Sequence, residues 1–162
     1  MVGQMETINK TEKKENFSAL TVLVFLLVAF IFISRGSTEY RFSQIESIEV
    51  AGQNIKVDLA LTEATRGEGL SGRRSMAEDT GMLFVFDRPD KYLFWMKNMY
   101  FPIDIIWINE DMRVVYIKQN AHPDLFLETY EPDEDAKYVL EVVAGFSDKY
   151  NLKVGDKVEF GY

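Results

Sequence analysis

Short runs in which apolar and polar residues alternate dominate the chain after residue 44. Within residues 55–61 every second residue is a large aliphatic, which is the period-two pattern of a half-buried strand. A similar run at residues 48–50 is separated from it by Gly52, so residues 46–61 predict a β-hairpin. The pattern predicts six further strands, at residues 82–86, 92–97, 103–108, 113–118, 138–143 and 157–160. The first two of these flank the turn-forming sequence Asp-Arg-Pro-Asp and are expected to pair, as are the next two.

Short helices interrupt the predicted strands. Thr62 is placed as an N-cap before residues 63–68, and Gly69 follows them. Residues 73–78 and 146–151 predict two more short helices. Many short strands with a few single-turn helices are typical of a sandwich or a barrel. We therefore predict a mostly β protein, a compact antiparallel β-sandwich or barrel with a few short helices, preceded by one N-terminal transmembrane helix.

The transmembrane prediction rests on residues 17–34, which read FSALTVLVFLLVAFIFIS and carry no charge. At a rise of ~1.5 Å per residue they span about 27 Å, close to the hydrocarbon thickness of a bilayer. A cleaved signal peptide needs small residues before the cut, whereas residues 30–33 are bulky. A buried core helix is disfavoured because the run is apolar on all sides. The chain then divides into a polar tail (1–16), an uncleaved transmembrane helix (17–34), a linker (35–45) and a β domain (46–162).

Basic residues on the two sides of this segment predict its orientation. Lys10, Lys13 and Lys14 precede it, and Arg35 and Arg41 follow it. The side with more lysine and arginine tends to stay in the cytoplasm. We therefore expect a single-pass protein of the cell membrane whose domain is extracytoplasmic.

The composition narrows the chemistry of the domain. The formal charge is −8, with the acidic excess after residue 44, which disfavours nucleic acid as a partner. Cysteine is absent, and His122 is the only histidine, so thiolate chemistry and a zinc site of His ligands within one chain are excluded. The acidic run at residues 128–135 lacks the spacing of an EF-hand and is interpreted as a solvated loop. We expect no cofactor and no metal site.

Polar residues stand out within the aromatic and aliphatic segment 81–107, namely Lys97, Asn98 and Asp104. Asp104 lies in the run 103–108, whose two faces are both apolar, so this strand is expected to be buried on both sides. A buried carboxylate is costly unless it is paired. The natural partners are basic or amide side chains: Lys97, Asn98, Arg66 and Arg73.

Two interpretations of this charged set stay open. One is a satisfied ion-pair network that only fixes the fold. The other is a ligand pocket in which Arg66, Arg73 and Lys97 meet an anionic group.

Aromatic side chains of the same segment are interpreted as core, with one exception. Phe94 and Trp95 must take opposite sides of a strand, so one of them can reach a cleft. Glu141 is a second charge in an apolar strand and is expected to pair with an arginine. Asp104 and Glu141 also have the residue types of a glycosidase pair, which requires a defined separation between the two carboxylates.

Seven short motifs occur in order along the domain. They are T-x-x-x-R-x-x-G-L-x-x-R (62–73), GMLFVF (81–86), FWMKN (94–98), PID (102–104), YVLE (138–141), AG (144–145) and VGD (154–156). Together they resemble the DUF192 family, also called UPF0127, over about residues 47–160; any one motif alone is weak. The resemblance implies a compact, mostly antiparallel β fold and, as in many members, an N-terminal export signal or anchor. It implies no established activity.

Three positions depart from the residues usual in that family. Ser71 stands where Met is often found, and Met99 stands where Thr is frequent. Met112 occupies a turn where Gly is usual, which puts the geometry of that turn in doubt.

The sequence thus predicts a membrane-anchored, extracytoplasmic, non-enzymatic module that binds a small molecule or an envelope component. Its candidate ligand-binding residues are Arg66, Arg73, Trp95, Lys97, Asn98, Asp104 and Glu141. A hydrolase or lyase using Asp104 or Glu141 as general acid or base is an alternative, and it requires a carboxylate with a raised pKa in an open cleft. A protein–protein interaction module with an exposed apolar patch is another. The sequence leaves the oligomeric state open.

Overall fold

The computed structural model describes residues 19–125 and 127–162, with the backbone alone at residues 34–41. The predicted tail (1–16) and the first two residues of the predicted membrane segment (17–34) lie outside the described residues. The chain divides into two compact units, Met1–Ser37 and Thr38–Tyr162. Helix α1 (Ala19–Phe42) runs through most of the predicted linker (35–45). In the part of the chain that the structure describes, no helix is both long enough and apolar enough to cross a membrane.

Short strands make up most of the second unit. They are β1 (Ser47–Val50), β2 (Gln53–Ala60), β3 (Thr80–Asp90), β4 (Phe94–Trp95), β5 (Ile103–Ile108), β6 (Val114–Ala121), β7 (Thr129–Tyr130), β8 (Ala136–Val143) and β9 (Val158–Gly161). The helices among them are α2 (Glu63–Glu68) and α3 (Phe146–Lys149), with a 3₁₀ turn at Pro123–Leu125. Seven of the strands form one sheet in the order β6-β5-β8-β3-β2-β1-β9, and β4 pairs with β7 in a separate small sheet.

The large sheet curls until its two edge strands meet at one end. The backbone N–H of Val114 donates to the carbonyl of Asp156 at 3.0 Å, and that of Val158 donates to the carbonyl of Met112 at 2.9 Å. These bonds join the start of β6 to the start of β9 and give the sheet the shape of a half-barrel. The prediction of a mostly β, barrel-like fold with a few short helices is therefore confirmed at this level of detail.

Among the described strands every pair is antiparallel, as predicted, except one. β2 and β3 are parallel, with Val57 opposite Gly81. Parallel neighbours require a crossover rather than a tight turn, and here residues 61–79, with α2 inside them, supply it. The predicted pairing of residues 82–86 with 92–97 is also wrong, because β3 pairs with β2 and β8 while β4 pairs with β7.

Local signals in the sequence located the crossover helix correctly. The Thr62 hydroxyl oxygen accepts the Thr65 N–H at 3.2 Å, and the Thr65 hydroxyl oxygen accepts the Thr62 N–H at 3.0 Å. This reciprocal pair is a capping box with threonine in the place of the more common glutamate. The predicted helix at residues 73–78 is wrong, because that stretch has no helical hydrogen-bonding pattern.

The middle strands of the large sheet are buried on both faces, as β5 was predicted to be. One face packs into what we call the first core, which includes Leu83, Ile106, Leu140 and Val142. The other face packs into the second core, which includes Phe84, Ile105, Trp107 and Val139. The alternation within each strand assigns every side chain to one of the two cores.

Gly81 of β3 lies where the backbones of β3 and β8 approach closely. A Cβ atom added there would lie 2.7 Å from the carbonyl oxygen of Glu141. We expect Gly81→Ala to lower the free energy of unfolding by about 1–3 kcal/mol, because the strands must separate to admit the methyl group.

The matched control is Gly67→Ala, since Gly67 lies in α2 and a Cβ added there meets nothing within 4 Å. That change should raise the free energy of unfolding by up to about 1 kcal/mol. Urea denaturation of the full chain measures both. Equal effects at the two glycines would contradict the assigned close approach.

Candidate functional site

A cleft of about 250 Å³ opens on the face of the sheet that carries the second core. Residues 66–71, from the end of α2 and the loop after it, form one wall, and residues between 92 and 99 form the other. The base is formed by Phe84 and Phe86 of β3 and by Glu141 of β8. The cleft is therefore a gap between two chain segments that cover this face of the sheet.

Four of the seven predicted site residues line this cleft: Arg66, Trp95, Lys97 and Glu141. Trp95 is 55 % exposed, although it is one of the largest apolar side chains in the chain. The Lys97 ammonium lies 5.9 Å from the centre of the Trp95 ring. Phe94 turns the other way and packs edge-on against Phe84 and Trp107. The strand alternation thus leaves Trp95 at the rim and Phe94 in the core.

Arg66 holds one wall of the cleft in place. Its guanidinium donates to the carbonyl of Leu61 at 2.7 Å and to that of Val85 at 2.8 Å. It also lies 5.1 Å from the centre of the Phe86 ring. These two carbonyls lie just beyond the last β2–β3 pair, Ala60 with Phe84, so Arg66 satisfies backbone acceptors that the parallel ladder does not reach.

Arg73 and Asn98 lie outside the cleft. The Arg73 guanidinium pairs with the Asp58 carboxylate at 2.6 Å, and both side chains are substantially exposed, so the pair adds little stability. Asn98 is exposed and has a left-handed backbone with φ 58°. Its carbonyl accepts the Gly72 N–H at 3.0 Å, which ties the two walls of the cleft together behind the lining residues.

Asp104 is fully buried, and its partners are not the side chains that were predicted. One carboxylate oxygen accepts the N–H of Asn120 at 2.8 Å and that of Gly145 at 3.2 Å. The other accepts the N–H of Ser147 at 2.8 Å. The expectation of Lys97, Asn98, Arg66 and Arg73 as partners is wrong because Asp104 shares a face with Ile106 in the first core, away from those side chains. Asp104 instead fixes the start of α3 against the end of β6.

Glu141 is buried as well, but no such set of donors surrounds it. Its Oε2 atom has no hydrogen-bond partner among the described residues. The predicted pairing with an arginine is not formed, since Arg73 pairs with Asp58 and Arg66 with backbone carbonyls. Burial raises the pKa of Glu141 to about 8, and the charge of Arg73 opposes this only in part. At neutral pH this group is therefore a protonated acid beside an open cleft.

The two buried carboxyl groups point away from each other. Across the sheet, Glu141 stands opposite Ile105, whereas Asp104 stands opposite Val142. Neighbouring positions on a strand face opposite sides, so Asp104 faces the first core and Glu141 the second. The idea that they act together on one bond, as in a glycosidase, is wrong for this geometry.

Other lining residues were not identified from the sequence as part of a site. Tyr92 stacks on Phe86 with ring centres 3.5 Å apart, and its hydroxyl donates to the carbonyl of Arg88 at 2.7 Å. Gly69 has φ 54°, and a Cβ there would lie 3.4 Å from the Phe84 ring. A glycine directly after a short helix was the one sequence signal that pointed to this close approach.

The domain is similar to known families and structures over nearly all of its length. The model of the family DUF192 (Uncharacterized ACR, COG1430) matches residues 46–160. A crystal structure of a protein of unknown function from Novosphingobium aromaticivorans is 34% identical, with a TM-score of 0.68, and the match covers 71% of this chain and 84% of that one. A Sinorhizobium meliloti protein provisionally described as a transcription regulator is also 34% identical, with a TM-score of 0.66 and coverage of 70% and 90%. The comparison with curated proteins finds no match.

Glu141 makes the stability of the protein depend on pH in a direction that can be measured. Its pKa is about 8 in the folded protein against an ordinary 4.5. Between these values the folded chain holds a proton that the unfolded chain has lost, so stability falls as pH rises from about 5 to 8. The slope from this group is up to about 1.4 kcal/mol per pH unit.

Urea denaturation of wild type and Glu141→Gln over that range isolates the contribution. As pH rises, the free energies of unfolding of wild type and Glu141→Gln should converge and then cross. The variant is then the more stable protein at high pH. Glu68→Gln, which changes an exposed acid at the mouth of the cleft, is expected to follow the wild-type profile. Parallel profiles for wild type and Glu141→Gln would show that Glu141 is not a protonated acid in the folded state.

Proposed function

The chain belongs to the DUF192 family, which is uncharacterised, and from the geometry of the cleft we propose that its domain binds a small molecule there. The observation that supports this most is the unpartnered, buried carboxyl group of Glu141 beside the cleft. A buried polar atom without a partner costs about 1–3 kcal/mol. A ligand that enters the cleft supplies the missing hydrogen-bond partner and offsets that cost.

The rim supports the same function. Exposed Trp95 and the Lys97 ammonium above it form an aromatic surface with a positive charge, a combination suited to ligand contact. Apolar walls with a few polar groups are typical of small-molecule sites. We propose no part for Arg73, Asn98 or Asp104 in contacting the ligand. The Asn98 carbonyl ties the two walls together, whereas Asp104 holds α3 against β6 on the other face of the sheet.

A carboxylate-dependent hydrolase or lyase is the second candidate. A carboxyl group with a pKa of about 8 can give or take a proton near neutral pH, which is what a general acid or base must do. Asp104 takes no part in this version, because it faces the other core. The third candidate, a protein–protein interaction module, draws on exposed apolar residues such as Leu93 and Leu127.

We also propose that the N-terminal helix anchors the domain in the cell membrane, with the domain outside the cytoplasm. Residues 17–34 carry no charge, and large apolar side chains from Leu20 to Ile33 are exposed along α1. Such side chains are favourable in lipid and costly in water.

Binding in the cleft can be tested without knowing the ligand. The full chain is incubated with a small-molecule extract of its host and examined by native mass spectrometry. Wild type should retain a small molecule, and Trp95→Ala should lower the occupancy at least about tenfold because the rim contact is lost. Tyr100→Ala is the matched control, since Tyr100 is 65 % exposed and does not line the cleft. Absence of any adduct, or equal loss in both variants, would argue against the cleft.

Membrane anchoring is tested by fractionation. The full chain should sediment with membranes and resist extraction at alkaline pH, and protease added to spheroplasts should digest the domain. Leu26→Arg combined with Val28→Arg should release it, because arginine costs about 2.5–3.5 kcal/mol at the centre of a spanning helix. Leu26→Ala with Val28→Ala is the control and should remain in the membrane. Wild type in the soluble fraction would refute the anchor.

A further inference from the structure

We propose that the base of the cleft binds a hydrogen-bond-accepting oxygen of a single-ring ligand, to which the Glu141 carboxyl group donates. This inference rests on the proposed binding function and adds the chemical class of the ligand. A carboxylic acid, an amide or a ketone on one ring has the required chemistry.

The volume of the cleft is suited to a small ligand. Its volume is about 250 Å³, whereas sites for drug-sized ligands run from about 300 to 1,000 Å³. A cavity of about 150 Å³ is already enough for benzene. One ring with a short polar substituent therefore fits within this space.

The walls favour a flat, apolar body. Phe84 and Phe94 meet edge to face, with ring centres 4.9 Å apart, and Phe86 stacks on Tyr92. Gly69 lacks the Cβ atom that would approach the Phe84 ring, so backbone rather than side chain borders the cleft there. Aromatic rings pack well against such walls in offset or edge-on arrangements.

Whether Glu141 donates or accepts the hydrogen bond to the ligand depends on which partners the nearby cations have. Arg73 pairs with Asp58, and Arg66 donates to two backbone carbonyls. Lys97 is exposed at the rim, over Trp95. Among the described residues no cation is hydrogen-bonded to Glu141, and the charge of Arg73 offsets the effect of burial only in part, so the neutral form is favoured. A neutral carboxyl group donates one hydrogen bond through its O–H, and an oxygen atom of the ligand accepts that bond.

The surroundings of Glu141 determine how this bond responds to pH. Its neighbours across the sheet, Met82 and Ile105, do not titrate. The titratable groups that line the cleft with it are Arg66, Glu68, Tyr92 and Lys97. Burial raises the pKa of Tyr92 above its usual 10, so Tyr92 stays neutral below that pH. Arg73 acts on Glu141 through its charge alone and lowers the pKa of that group.

The test compares two probes that share one ring, benzamide and benzylamine, by ligand-observed NMR titration of the full chain. Benzamide offers a carbonyl oxygen, whereas benzylamine offers a cation that requires an ionised carboxylate. We expect benzamide to bind more tightly at pH 6, and its apparent affinity to fall about tenfold by pH 9 as the protonated fraction of Glu141 falls.

Three variants make the result specific. Glu141→Gln keeps a donor at every pH, so benzamide should still bind and the pH dependence should disappear. Glu141→Met keeps the length of the side chain but has no donor, so affinity at pH 6 should fall at least about tenfold. Glu134→Gln removes an exposed acid outside the cleft, so it is the control and should keep the wild-type pH profile. Thermal melting of each variant verifies that it is folded.

The contrary outcomes separate the inference from the proposed function. Benzamide binding that does not depend on pH, or a preference for benzylamine that grows with pH, overturns the inference and leaves the cleft a binding site. Binding of neither probe at millimolar concentration also overturns it, and the host-extract experiment then decides the proposed function independently.

Discussion

The structure depends on one constraint: a small sheet whose middle strands are buried on both faces must find cover for the second face. β5 and β8 have no exposed residue, and β3 is buried from Gly81 to Val85. The curl of the sheet encloses the first core with strands and α3. The second core is covered instead by the parallel crossover through α2 and by the segment around β4. These two segments do not cover the apolar face completely, and the cleft is the gap between them.

Asp104 and Glu141 have different surroundings because they lie on opposite faces of the same sheet. Asp104 faces the first core, where the loop before α3 and the end of β6 bring three N–H groups to its oxygens. Glu141 faces the second core, where the covering segments bring aromatic rings and no donor to Oε2. Two carboxyl groups on adjacent strands thus differ in their surroundings: Asp104 is fixed by backbone donors, whereas Glu141 lines the cleft with one oxygen unpartnered among the described residues.

Local patterns in the sequence determined much of the fold, and long-range ones did not. The alternation at residues 55–61 and 103–108 located strands, and Thr62 located the start of α2. The pairing of β4 could not be predicted, because its partner β7 lies far along the chain and both strands have only two residues. For the site, strand parity placed Asp104 and Trp95 on particular faces, but parity does not reveal which segment covers a face. The donors to Asp104 are backbone groups, which leave no mark in a residue-type pattern.

Arg66 holds one wall of the cleft through bonds to the backbone. Its guanidinium donates to the carbonyls of Leu61 and Val85, and neither bond involves Glu141. Glu141 lines the same cleft, and because burial raises its pKa to about 8, its charge changes near neutral pH. The hydrogen bonds that hold this wall therefore do not include the group whose protonation changes near neutral pH. The charge at the floor of the cleft can therefore change without breaking any of the hydrogen bonds that Arg66 makes.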